Sequence, residues 1–178
     1  MTYFVELCQI FPFIRTVVKN FPNFIILLLR LSMEHKIAFA ESLKELMEER
    51  ELSITQLSQD LECDYEAIWF WLKGEYYPRC NMIIKLCNYF GCSVDYILGI
   101  SDDRSFKTGN SQSNFHERLD LLLKRKKWNR AKLSKLSGIG EPAISKWINN
   151  GITPEASTLI KLSQTFGCSI DYLLGRTN

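Results

Sequence analysis

The 178-residue chain is 46% hydrophobic and 24% charged, and its 22 Lys+Arg against 20 Asp+Glu leave a formal net charge of +2, which selects no particular partner. Its six cysteines (Cys8, Cys63, Cys80, Cys87, Cys92 and Cys168) include no C-x-x-C pair, and the only histidines, His35 and His116, stand at no metal-ligand spacing, so neither a metal nor any other cofactor is expected. No Ser/His/Asp, Cys/His, paired-carboxylate or glycine-rich phosphate-binding set occurs either, and no enzyme is expected.

Residues 1–32, "MTYFVELCQIFPFIRTVVKNFPNFIILLLRLS", form an N-terminal extension whose longest apolar run is Phe24 to Leu29. That run is far short of the ~20 residues that span a bilayer, and Arg15, Lys19, Pro12 and Pro22 interrupt what precedes it. A secretory signal would have its basic residues before the apolar core and a small-residue cleavage site after it, and "RLSMEHK" offers neither clearly. Two readings are open: Met33 is the native start, or the extension is an interaction or membrane-surface segment.

Beyond it the chain repeats itself. Residues 90–99 read "FGCSVDYILG" and residues 166–175 read "FGCSIDYLLG", identical at eight of ten positions and 76 residues apart. The same offset aligns Pro78 with Pro154, Trp71 with Trp147, Leu57-Ser58 with Leu133-Ser134, and Phe39 with Phe115, without a gap. Two domains follow, 33–101 and 114–178, separated by a polar, glycine-containing stretch at 102–113 that reads as a flexible linker. Each copy has about the smallest length that folds without metals or disulfides. Cys92 and Cys168 hold equivalent places in the phrase, as expected of reduced thiols that serve packing.

The copies differ electrostatically. Residues 33–110 hold 8 Lys+Arg against 14 Asp+Glu, a formal −6, whereas residues 111–178 hold 11 against 5, a formal +6. On charge alone only the second copy suits a polyanion.

In that second copy Phe115, Leu119, Leu122 and Leu123 recur at i, i+4, i+7, i+8 and make one apolar helix face, which ends in "KRKKW" (124–128). Asn129 caps a second helix, "RAKLSKLS", which Gly138 breaks. The third, "EPAISKWIN", carries Pro142 in its first turn, where a missing N–H costs nothing. A fourth helix runs from about Glu155 to Phe166, with Gly167 stopping it and Ser169 capping a last short one. Helices two and three, joined by a tight turn at Gly138 and anchored by Ile139, Ile144 and Trp147, form a helix-turn-helix pattern, which equally describes an ordinary helical hairpin.

The segments "LSKLSGIGEPAISKWINNGITPEASTLIKLSQTFGCSIDYLLG" and "LSQDLECDYEAIWFWLKGEYYPRCNMIIKLCNYFGCSVDYILG" resemble the Cro/repressor type (XRE family) of helix-turn-helix DNA-binding domain, over about 37–104 and 114–176. The resemblance implies an all-α chain of two tandem five-helix, lambda-repressor-like domains that bind double-stranded DNA. It places the start of the third helix in the major groove, and the N-terminus of the second helix and the loop after the third on phosphates. Carried onto the second copy, the base-facing candidates are Glu141, Pro142, Ala143, Ser145 and Lys146. Lys146 would donate to guanine or to phosphate, Ser145 would take either kind of partner, and Ala143 and Pro142 would meet a thymine methyl. Glu141 would accept from cytosine or favour the helix's positive end. The phosphate candidates are Asn129, Arg130, Lys132, Asn149, Asn150 and Thr153; Arg130 stands where the family often has glutamine. "KRKK" reads as a solvated tail complementing the helix dipole, with a phosphate role as the alternative.

The first copy departs at these places: "EERE" (48–51) replaces "KRKK", Glu62 replaces the turn glycine, and Asp64 and Glu66 would face phosphates. Tyr65, Glu66, Trp69 and Phe70 form an acidic, aromatic surface of the kind that marks a protein interface, the alternative being that Trp69 and Phe70 pack against linker or extension.

The chain is therefore expected to be a cytoplasmic, sequence-specific transcriptional regulator whose C-terminal copy is the main DNA reader, with a homodimer or a regulatory protein as possible partner. The competing class is an interaction protein, an antirepressor or adaptor, working through the first copy's aromatic face. Asp95 and Asp171, in the repeated phrase, read as local residues of a helix start.

Overall fold

In a computed structural model of the protein the described residues are 22–105 and 113–177, with side chains from His35 onward. The expectations for residues 1–21 and for the centre of the linker, 106–112, lie outside them. The chain divides into two compact units, 1–35 and 36–178, and of the first only the helical backbone from Pro22 is described.

The described residues form ten helices and no strand. The first copy holds α1 (Pro22–Glu49), α2 (Ile54–Asp60), α3 (Tyr65–Leu72), α4 (Cys80–Phe90) and α5 (Val94–Ile97). The second holds α6 (Phe115–Lys126), α7 (Arg130–Ser137), α8 (Glu141–Asn150), α9 (Ala156–Phe166) and α10 (Ile170–Leu173). Their starts follow local chemistry. Ser53 and Asn114 form reciprocal capping boxes with Gln56 and Glu117, and Asn129 accepts from the Lys132 N–H. Ser93 and Ser169 accept from the N–H groups of Tyr96 and Tyr172.

The offset of 76 registers the two cores residue by residue. Phe39, Leu43, Leu57, Ile68, Trp71, Leu86 and Phe90 are buried in one copy, and Phe115, Leu119, Leu133, Ile144, Trp147, Leu162 and Phe166 in the other. Each such side chain removed from water contributes about 1.5–3 kcal/mol, so the two apolar sets, once aligned, impose the same bundle twice. The last glycine of each phrase has a steric reason. A Cβ on Gly99 would overlap Ala38, inside α1, and one on Gly175 would overlap Ser113, just before α6, so each glycine lets the chain pass close against the first helix region of its own copy.

The polar stretch after the first copy is tied down where it is described. Arg104 pairs with Glu49 at 2.6 Å and Glu45 at 3.0 Å, and its guanidinium lies 4.8 Å from the Tyr96 ring centroid. The hydrogen bond from Arg104 holds the exposed Glu49 carboxyl below its ordinary range.

Candidate nucleic-acid interface

In the second copy α7 and α8 make the helix-turn-helix. Gly138 ends α7 at φ 69°, and Ile144 and Trp147 fix the inner face of α8, the Trp147 ring lying edge-on to Phe115 at 6.2 Å. In the first copy Glu62 takes the turn position with φ 49°, a left-handed conformation that a side chain adopts at a cost.

The base-facing candidates divide by exposure. Glu141, Pro142 and Lys146 are exposed, whereas Ala143 is half-buried against the core and Ser145 is half-buried and already engaged. Arg130, at the start of α7, donates to Ser145 Oγ at 3.1 Å and to Asn149 Oδ1 at 3.3 Å. Arg130, Ser145 and Asn149 therefore form one unit that joins the two helices. The sequence presents the three as separate contacts, although Ser145 and Asn149, four apart, share a helix face.

Among the phosphate candidates, Asn129 spends its carbonyl oxygen on the α7 cap, Lys132 is exposed in the first turn of α7, and Asn149, Asn150 and Thr153 are exposed at the end of α8 and in the loop after it. The basic end of α6 lies on the same side. A cavity of about 540 Å³ is lined by Lys124, Lys127, Asn129, Arg130 and Glu141, among others, so the "KRKK" segment borders the start of both α7 and α8.

In the first copy the matching positions are occupied differently. At the offset of 76, Ile54 stands for Arg130, Trp69 for Ser145, Phe70 for Lys146 and Lys73 for Asn149, so the arginine link has no counterpart. Tyr65, Trp69 and Tyr76 are 47%, 40% and 44% exposed, and Glu66 is exposed beside them. Phe70 is half-buried and bridges Trp69 at 5.0 Å and Tyr76 at 5.6 Å between ring centroids, while Lys73 Nζ lies 5.4 Å from the Trp69 centroid. Phe70 thus packs on both Trp69 and Tyr76.

Two residues of the repeated phrase have a role that the sequence reading missed. The carboxylates of Asp95 and Asp171 bond to the other copy's last helix rather than to their own: the Ile170 N–H donates to Asp95 and the Val94 N–H to Asp171.

A turn-linked pair of short helices, the second exposing a polar face beside a basic rim, defines the class: helix-turn-helix DNA-binding domains. Residues 42–103 match the family model of the Cro/C1-type HTH DNA-binding domain, and residues 119–173 match the helix-turn-helix family model. The chain carries two tandem helix-turn-helix domains of the XRE type. No curated protein and no solved structure matches it. No helix among the described residues is long and apolar enough to cross a membrane.

Proposed function

We propose that the chain is a cytoplasmic, non-enzymatic, sequence-specific regulator of transcription in which the C-terminal copy is the main DNA reader. The observation that supports this most is the linked trio of Arg130, Ser145 and Asn149, which braces α8 against α7 while Glu141, Pro142 and Lys146 remain free to meet base edges. Base contacts discriminate only when the reading helix is held in register, and neighbouring cations supply the salt-dependent grip on phosphates. In this reading Lys127 and Lys132 supply that grip, together with Lys124 once it leaves its ion pair with Asp120.

The test is selection of bound duplexes from a random pool by the full chain, followed by salt titration. A recurring motif bound with an affinity that falls steeply with salt supports the reading; recovery of no motif overturns it.

A second reading rests on the exposed Tyr65, Trp69 and Tyr76 beside Glu66: the first copy's equivalent face serves as a protein interface, with a second chain or a regulator as partner. Replacing Tyr65 and Trp69 by alanine would then release that partner. Unchanged oligomeric state and unchanged capture would remove this reading.

A further inference from the structure

The repeated phrase joins the copies as well as closing them. Val94 N–H donates to Asp171 Oδ2 at 2.7 Å, and Ile170 N–H donates to Asp95 Oδ2 at 2.9 Å and Oδ1 at 3.1 Å; the Asp171 N–H reaches Asp95 Oδ2 at 3.4 Å. Val94 and Ile170 are the first residues of α5 and α10, whose N–H groups have no partner within the helix. Ser93 and Ser169 satisfy the third N–H of each helix, and the aspartate of the other copy satisfies the first. Equivalent residues that exchange the same bond in both directions are the mark of a two-fold, isologous contact. Here it is closed within one chain.

Other contacts lock the joint. Asp171 is buried and paired with Arg176, whose other terminal nitrogen donates to Asn88 Oδ1 of the first copy at 3.0 Å. Arg176 stands where the first copy has Ile100, so one arginine serves a centre that holds two carboxylates.

We infer that Asp95 and Asp171 are positioning residues that hold the two helix-turn-helix units as a fixed internal pair, so that a single chain engages two adjoining DNA half-sites of unequal sequence at one set spacing. The unequal half-sites follow from the reading helices themselves, with Glu141, Pro142 and Lys146 on α8 against Tyr65, Glu66 and Trp69 on α3. The DNA part of this inference rests on the function proposed above; the pairing does not.

Two arms separate them. Without DNA, amide hydrogen exchange and sedimentation are measured on the full chain. Asp95→Ala is expected to speed exchange at Ile170 and Asp171, and Asp171→Ala at Val94, each in the other copy, by about tenfold or more while the core amides of α4 and α9 stay protected. The wild type is expected to sediment as one chain. Changes confined to the substituted copy would overturn the internal pair, as would a two-chain species in the wild type that Asp95→Ala/Asp171→Ala returns to single chains.

With DNA, base pairs are inserted at the centre of the selected site. An insertion of about 5 base pairs, half a helical turn, is expected to weaken the wild type by about tenfold and Asp95→Ala/Asp171→Ala by less than threefold. Asp95→Asn, which keeps one carbonyl acceptor, should fall between. A spacing dependence identical in wild type and variants would overturn the positioning role. If no duplex is selected at all, the proposed function falls and the exchange arm decides the pairing alone.

Discussion

Asp95 and Asp171 occupy the same position in two copies of one phrase, and each accepts a backbone N–H from the other copy's last helix, at 2.9 Å from Ile170 and 2.7 Å from Val94. The two bonds are not energetically equal. Asp171 also neutralises Arg176, whose side chain is only 9% exposed.

Loss of a hydrogen bond to a charged group costs about 1.5–3 kcal/mol, and breaking a buried ion pair by removing one partner costs about 3–5 kcal/mol. Urea unfolding should therefore rank Asp171→Ala as more destabilising than Asp95→Ala. The double variant should lose less than the two single losses combined, because both act on one joint. Equal costs, or simple additivity, would contradict a shared centre.

The joint also carries a pH signature. Burial, and then the neighbouring Asp171 charge, hold the Asp95 carboxyl above its ordinary value of 3.8, although the N–H groups of Ile170 and Asp171 pull the other way. A folded pKa above the unfolded one means that this group's stabilising contribution is complete below about pH 4 and is lost as pH rises through the raised value. The stability of wild type relative to Asp95→Asn should then improve as pH falls from 7 to 4. Thermal unfolding of both proteins across that range measures it, and a pH-independent difference would refute the shift.

Arg130 is expected to act first on the protein and then on DNA. Arg130→Ala should cost about 0.5–1.5 kcal/mol of stability, as for a typical side-chain hydrogen bond, and weaken binding to every duplex. Arg130→Gln keeps a donor toward Ser145 or Asn149, so selectivity should persist while the slope of log affinity against log salt falls by about 1. Loss of selectivity in the glutamine variant would show that the guanidinium itself reads bases.

Glu62 offers a test of local strain. It holds φ 49° where Gly138 serves in the other copy, and its ion pair with Lys85, at 3.7 Å with the Glu62 side chain 87% exposed, is worth little. Glu62→Gly should raise stability by about 0.5–1 kcal/mol, the relief of a left-handed side chain less the added freedom of the unfolded chain. A loss on denaturant titration would assign Glu62 a contact of real value.

Much of this architecture is written locally. The i, i+4, i+7, i+8 face of Phe115, Leu119, Leu122 and Leu123 is buried as its spacing requires, and Asn129, Gly138, Pro142 and Ser169 stand at the helix ends that their chemistry favours. Duplication was legible because the two cores share one register. What pairs the copies was not, because an acidic residue just after a capping serine already has a sufficient local meaning at the positive end of its own helix. One trace did exist: the copies have diverged to −6 and +6, yet both keep an aspartate at this position.

The site was legible in part for a similar reason. Periodicity assigned Ile144 and Trp147 inward and Lys146 outward, but it carries no information about a side chain that crosses between helices, so Arg130 reaching Ser145 and Asn149 required coordinates. Likewise, the basic end of α6 was readable as charge, whereas its place beside Asn129 and Glu141 depends on how α6 packs against α7 and α8.

The measurement that bears most directly on the function is the affinity of the full chain for its selected duplex and for a scrambled one, with Lys146→Ala in parallel, across a range of salt. Lys146→Ala should lose about 1–3 kcal/mol on the selected duplex and much less on the scrambled one, narrowing the ratio between them. An undiminished ratio, with selectivity lost instead on replacing Tyr65 and Trp69, would contradict the C-terminal copy as the main reader.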